Sequence, residues 1–218
     1  MKKVLILSYY FPPCNLTAAN RIGGWYKYLP ENNFYPIVIT RNWTGNELTE
    51  ESRLMDSGKE IRVEKKEDSE VHYLPYKASW RDNCFVKGKN NKFFALVSKL
   101  LTTLMTVLQN FTIKAIPYNN LYYYIQNFLK ENKDVKTLII SGNPFEQFYF
   151  GYLLKKEFPD LKWVADYRDD WTTNELYKKN SPLYKVINRY NRHFELKWLK
   201  SSSKIITVSN LYASRLAK

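Results

Sequence analysis

The sequence predicts an α/β protein, a Rossmann-like doubly wound domain with a mainly parallel sheet and helices on both faces. Short apolar runs alternate with helical patterns along the chain, the chain opens strand, helix, strand, and a second strand-helix-strand unit returns at 137–165. The 218 residues are 44% hydrophobic and 25% charged, a globular composition rather than a disordered one. A chain of this size buries roughly 70% of its unfolded surface, so it needs no covalent staple. Cys14 and Cys84 make no disulfide framework, and His72 and His193 have no zinc-ligand spacing, so no metal is expected.

The elements follow in order. Residues 3–9 read as a buried strand, not a secretory signal, because the apolar run 4–7 is too short and Pro12 and Pro13 follow it. Three Asn-x-Thr triplets, at Asn15, Asn42 and Asn110, are chance matches in an Asn-rich chain, and a cytoplasmic location is expected. A Pro-rich loop leads to a helix at 18–29, and 35–40 (YPIVIT) is a second strand. The acid-rich segment 41–69 reads as a flexible surface loop, and 70–75 (EVHYLP) as a third strand. An amphipathic helix near 91–113 and a helix at 121–129 come next. They are followed by a strand at 137–140, a helix at 145–158, a strand at 163–165, a basic helix at 183–200 and a last strand at 205–208. A single domain over 1–218 is expected.

The formal net charge of +13 is concentrated in two segments. Residues 77–114 carry Lys77, Arg81, Lys87, Lys89, Lys92, Lys99 and Lys114 against Asp82 alone. Residues 178–204 carry Lys178, Lys179, Lys185, Arg189, Arg192, Lys197, Lys200 and Lys204 against Glu195 alone. The rest of the chain is neutral, so an anionic partner would meet these segments. In the first, Phe93, Val97, Leu100, Leu104, Leu108 and Phe111 recur at helical spacing, with Ser98, Lys99, Thr102, Thr103, Thr106, Gln109 and Asn110 opposite. That face either packs into the domain's own core or, with Lys99 and the flanking lysines, lies against an anionic membrane. In the second, Leu183, Val186, Ile187, Tyr190, Phe194 and Trp198 share one face, with Lys185, Arg189, Arg192 and Lys200 roughly opposite, as on a solvated helix. Nucleic-acid binding would use the same charge, but no helix-turn-helix, zinc-finger or RNP-type signature is present.

Ligands of such sheets sit at the carboxyl ends of the strands, which singles out the loops at 11–21, 141–147 and 166–171. The first lacks G-x-G-x-x-G, so a dinucleotide cofactor is not expected. Its prolines stiffen it, the following helix offers free N–H groups to an anion, and Arg21 in the first turn opposes the helix dipole. The loop Asp166-Tyr167-Arg168-Asp169-Asp170-Trp171 gathers three carboxylates around one guanidinium. It is either a structural network or a site where Arg168 orients one carboxylate while another accepts hydrogen bonds from the hydroxyls of a sugar-like ligand beside Trp171.

These residues carry a resemblance. Phe11-Pro12-Pro13 with Arg21 on the next helix, the pattern Ser141, Gly142, Pro144, Gly151, Trp163, Asp166, Arg168, Asp169 and Trp171, and the segment KIITVSN near the end resemble the N-terminal half of a family 4-like, GT-B type glycosyltransferase. The resemblance spans nearly the whole chain. It implies a retaining, metal-independent transfer of a sugar from a nucleotide diphosphate sugar, with the acceptor held by this half. The amphipathic helix and the two basic segments point to a glycolipid or polysaccharide acceptor and to a peripheral place on the inner face of the membrane. A C-terminal donor-binding lobe is absent from these 218 residues, and without it the isolated chain is expected to be inactive. Asp166 and Asp169 are the candidate catalytic groups, and Asn143, Arg168 and Trp171 the acceptor contacts. Pro12, Pro13 and Arg21 line the donor diphosphate loop, and Phe93, Lys99, Leu100 and Leu104 face the membrane. Relatives often show Pro-Pro-His where this chain has Asn143-Pro144-Phe145, and Asp170 stands where a Pro is usual. The alternative is a non-catalytic membrane-surface binding module.

Overall fold

The apolar run of the first strand, β1 (Lys2–Ser8), is buried throughout from Val4 to Leu7, as a strand covered on both faces must be. The structure, a computed structural model, describes residues 1–46, 49–173 and 182–216, without the side chain of Leu183. Lys178 and Lys179 of the second basic segment lie outside the described residues. The chain divides into two compact units, Met1–Lys133 and Asp134–Lys218.

In the first unit β1 leads to α1 (Ala18–Tyr28) and β2 (Phe34–Arg41), which pairs parallel to β1 with Leu5 opposite Ile37. The segment 41–69, expected to be a loop, holds two further elements: α2 (Glu50–Leu54), closed by a Thr49 capping box, and β3 (Arg62–Lys65). β3 was not expected because all four of its residues are exposed. It is a charged edge strand lying antiparallel to β4 (Glu70–Leu74), whose residues are all buried, and the charge protects that edge. β4 pairs parallel to β2, so the strand order here is β3-β4-β2-β1.

Two helices follow, α3 (Trp80–Gly88) and α4 (Lys92–Leu108), and then α5 (Asn120–Glu131). The expected amphipathic helix is therefore shorter than 91–113, and Phe111 lies beyond its end. The packing of α4 bears on the core reading of its stripe. Ser98 is its buried residue, with Phe94, Leu101 and Met105 half-buried on the same side. Phe93, Leu96, Leu100, Leu104 and Phe111 are 54–67% exposed. The expectation that this stripe packs into the domain's core is corrected: a helix of 17 residues has room for two apolar arcs, and the core takes the other one. Among the described residues no helix is long and apolar enough to cross a membrane.

The second unit holds β5 (Thr137–Gly142), α6 (Gln147–Glu157), β6 (Lys162–Tyr167), α7 (Pro182–Leu199), β7 (Lys204–Thr207) and α8 (Asn210–Leu216), with β5, β6 and β7 parallel in that order. Gly151 lets α6 lie directly on the strands. A Cβ there would stand 2.7 Å from Trp163 Cε3 and 2.8 Å from Ile140 Cδ1. On α7, Phe194 and Trp198 are buried as expected, but Val186 is 67% exposed, so the apolar face does not extend back to it.

Candidate functional site at the ends of two parallel strands

In the second unit, β5 and β6 end side by side, with Ser141 opposite Asp166 and Gly142 opposite Tyr167. The register brings Asn143, Arg168 and Asp169 to the carboxyl edge of the pair, where an open α/β sheet receives ligands. Asn143 is exposed, and the peptide bonds on both sides of it are cis. Arg168 Nε and Nη2 both donate to Asp169 Oδ2, at 2.8 and 2.5 Å, and that carboxylate is half exposed. The guanidinium thus holds Asp169 at the strand ends through one carboxylate oxygen.

The two candidate carboxylates are not alike. Asp166 is fully buried, and its Oδ2 accepts a 2.9 Å hydrogen bond from Ser141 Oγ. Ser and Asp at matching positions of neighbouring strands fasten β5 to β6. Asp170 is also buried and accepts from Arg215 on α8 at 3.3 Å, so its carboxylate anchors the loop to a later helix.

Trp171 stacks nearly parallel on Phe145, with ring centroids 5.3 Å apart at 8°, and on Trp198, 5.8 Å apart at 20°. Its ring is committed to packing that continues from Trp198 to Tyr149. The Phe145 ring thereby supports Trp171.

Sequence reasoning missed Glu195. Fully buried on α7, it accepts from the Tyr167 hydroxyl at 2.9 Å and from Arg192 at 3.1 Å, and it hydrogen-bonds Thr172 Oγ1. Asn188 adds a 3.1 Å bond to the Thr172 carbonyl. Burial first, then the Glu195 charge and its hydrogen bond, raise the Tyr167 hydroxyl well above its ordinary pKa. The loop after β6 is thereby tied at both ends to α7. The signal was present in the sequence as the one acid of a segment with eight basic residues.

Pro12, Pro13 and Arg21 belong to the first unit. Both prolines are exposed in the loop after β1 and the bond between them is cis, while Arg21 lies along α1 with its guanidinium 5.1 Å from the Trp25 ring. Thr17 does not cap α1 with its side chain, and no acid occupies the first turn. Lys99, Phe93, Leu100 and Leu104 are exposed on α4, whereas Lys89 of the flanking set pairs with Glu51.

This arrangement, parallel strands whose carboxyl-end loops carry the polar residues, has the fold of a GT-B-type lobe. All of the chain superposes on a solved structure of sucrose-phosphate synthase from Thermosynechococcus elongatus with a TM-score of 0.61 at 10% sequence identity. The match covers 45% of that protein, so the chain spans less than half its length. No protein-family model and no curated protein matches the sequence. At this identity the likeness concerns the fold.

Proposed function

We propose that the chain is the acceptor-side domain of a retaining glycosyltransferase, which moves a sugar from a nucleotide diphosphate sugar to a lipid-linked or polysaccharide acceptor at the membrane surface. The fold likeness to a sucrose-phosphate synthase and the strand-end site support the glycosyltransferase part. At that site Asp169, held by Arg168, accepts a hydrogen bond from the acceptor hydroxyl, with Asn143 as a second polar contact. Asp166 shapes the loop from within. In the first unit, the N–H groups at the start of α1 and Arg21 favour the diphosphate. A donor-binding lobe completes such an enzyme.

The observation that carries the membrane part is the outward stripe of α4, with four large apolar side chains more than half exposed, Phe111 exposed just beyond the helix, and Lys92, Lys99 and Lys114 exposed as well. An apolar stripe edged by lysines is complementary to the headgroup region of an anionic bilayer. Sedimentation with phosphatidylglycerol-containing vesicles tests it. The chain should bind them in a salt-sensitive manner, and Leu100→Glu with Leu104→Glu should weaken binding at least tenfold without shifting the melting temperature. Equal binding to neutral vesicles, or none to either, overturns the membrane reading. A non-catalytic membrane module would share this result and differ by lacking transfer.

A further inference from the structure

The segment 49–59 is fastened to the end of β4 by devices that the strand-end site does not use. Arg41, 2% exposed at the end of β2, donates to the carbonyls of Arg53 at 2.7 Å and Met55 at 3.0 Å and to Ser57 Oγ at 3.3 Å. Its guanidinium lies 4.1 Å from the Trp43 ring and 3.8 Å from the Tyr76 ring. Ser57 and Tyr76 exchange both backbone hydrogen bonds, and Asp56 Oδ1 accepts from Ala78 N–H at 2.6 Å. Gly58 then turns the chain at φ +67, a left-handed conformation that strains any other residue, and a Cβ there would press on the Asn42 side chain. A buried arginine, a bridge, a carboxylate lock and a required glycine all act on one short stretch.

Together they hold the wall of a pocket of about 390 Å³, lined among others by Asp56, Lys59, Tyr76, Lys77, Asn119 and Asn120. This volume lies in the range of ligand pockets, roughly 300–1,000 Å³. A second hollow of about 320 Å³ shares Pro75, Asn119 and Asn120 with it and continues past Tyr123 and Asn127. The chemistry is specific. Lys59 and Lys77, both exposed, line the pocket with a single carboxylate, Asp56, which already accepts from a backbone N–H, so the lining is net positive and favours an anion. Asn119 does not cap α5 with its side chain, and with Asn127 it offers the paired donors and acceptors that recognise hydroxyls. Tyr123, 42% exposed, presents a ring edge or face to C–H surface. Lys77 lies three residues before α3, and Pro117 lies in the stretch between α4 and α5.

We propose that this groove binds an anionic, hydroxyl-rich head group, a sugar bearing a phosphate or a carboxylate, with Lys59 and Lys77 on the anion and Asn119, Asn127 and Tyr123 on the sugar. Its binding needs neither transfer nor vesicles and is measured separately from the proposed function. Calorimetric titration of the chain with glucose 1-phosphate, glucuronate, glucose and inorganic phosphate tests it. Glucose 1-phosphate or glucuronate should bind saturably and at least tenfold more tightly than glucose or phosphate. Lys59→Ala with Lys77→Ala should reduce that binding at least tenfold while leaving the melting temperature unchanged, since both side chains are exposed. Binding that the double variant retains, glucose binding equal to the charged sugars, or no saturable binding overturns the proposal. Phosphate binding as tight as glucose 1-phosphate overturns the carbohydrate assignment. Transfer without such binding would remove this pocket and leave the proposed function standing.

Discussion

Asp82 shows how a single residue governs its surroundings. Its carboxylate is 1% exposed and accepts from the Tyr76 hydroxyl at 2.7 Å, from Ser79 N–H and Oγ at 2.8 and 2.6 Å, and from Arg81 at 2.6 Å. Burial pushes its pKa up, but those hydrogen bonds and the Arg81 charge outweigh burial and hold it below the usual carboxylate range. Replacing it by alanine leaves several donors and one guanidinium without their partner. Asp82→Ala should cost about 3 kcal/mol or more in denaturant unfolding, and a loss within ~0.5 kcal/mol would contradict the account. Residue roles were only partly legible in the sequence. The Asp-x-Arg-Asp run pointed to the loop at the carboxyl ends of β5 and β6, and the pairing of Arg168 with Asp169 follows from adjacency. Nothing local could tell the buried Asp166 from the exposed Asp169, because that difference comes from Ser141, twenty-five residues earlier in the chain and opposite it in register.

At the scale of elements, strands with apolar runs were readable and polar ones were not. VLIL in β1 and IVI in β2 announce buried strands, whereas RVEK in β3 has no apolar signal and is held by pairing to β4. α3 was missed for a similar reason: its sequence, WRDNCFVKG, has little periodicity, and the Ser79 capping box starts it. In α4 the period was right, and whether its stripe is buried stayed open, since sequence alone cannot choose between two apolar arcs. The spacing of Gly151 from Pro144, seen in the sequence as a motif, has a packing cause in the contact of α6 with Trp163 and Ile140. Gly151→Leu should therefore destabilise the chain by about 2 kcal/mol or more, seen as a fall in melting temperature. An unchanged melting temperature would mean that α6 does not press on the strands.

For the molecule as a whole, the charge that the sequence divides into two segments has two different uses. In the second segment Arg192 serves the buried Glu195, and Lys197 lies over the Tyr152 and Phe194 rings, so part of that charge is internal scaffolding. In the first, Lys92, Lys99 and Lys114 are exposed around the α4 stripe, and Lys77 lines the pocket. The fold class was legible throughout, because alternation of strands and helices survives errors in single elements, and the fold likeness over the whole chain agrees with it. Acceptor-side glycosyl transfer is the central claim, and a transfer assay tests it most directly. A two-lobed protein carrying this domain is incubated with a panel of nucleotide diphosphate sugars and lipid-linked acceptors. The account predicts donor-dependent incorporation of sugar into the lipid fraction, falling at least a hundredfold in Asp169→Ala. Incorporation from no donor, or turnover unchanged in that variant, would contradict it.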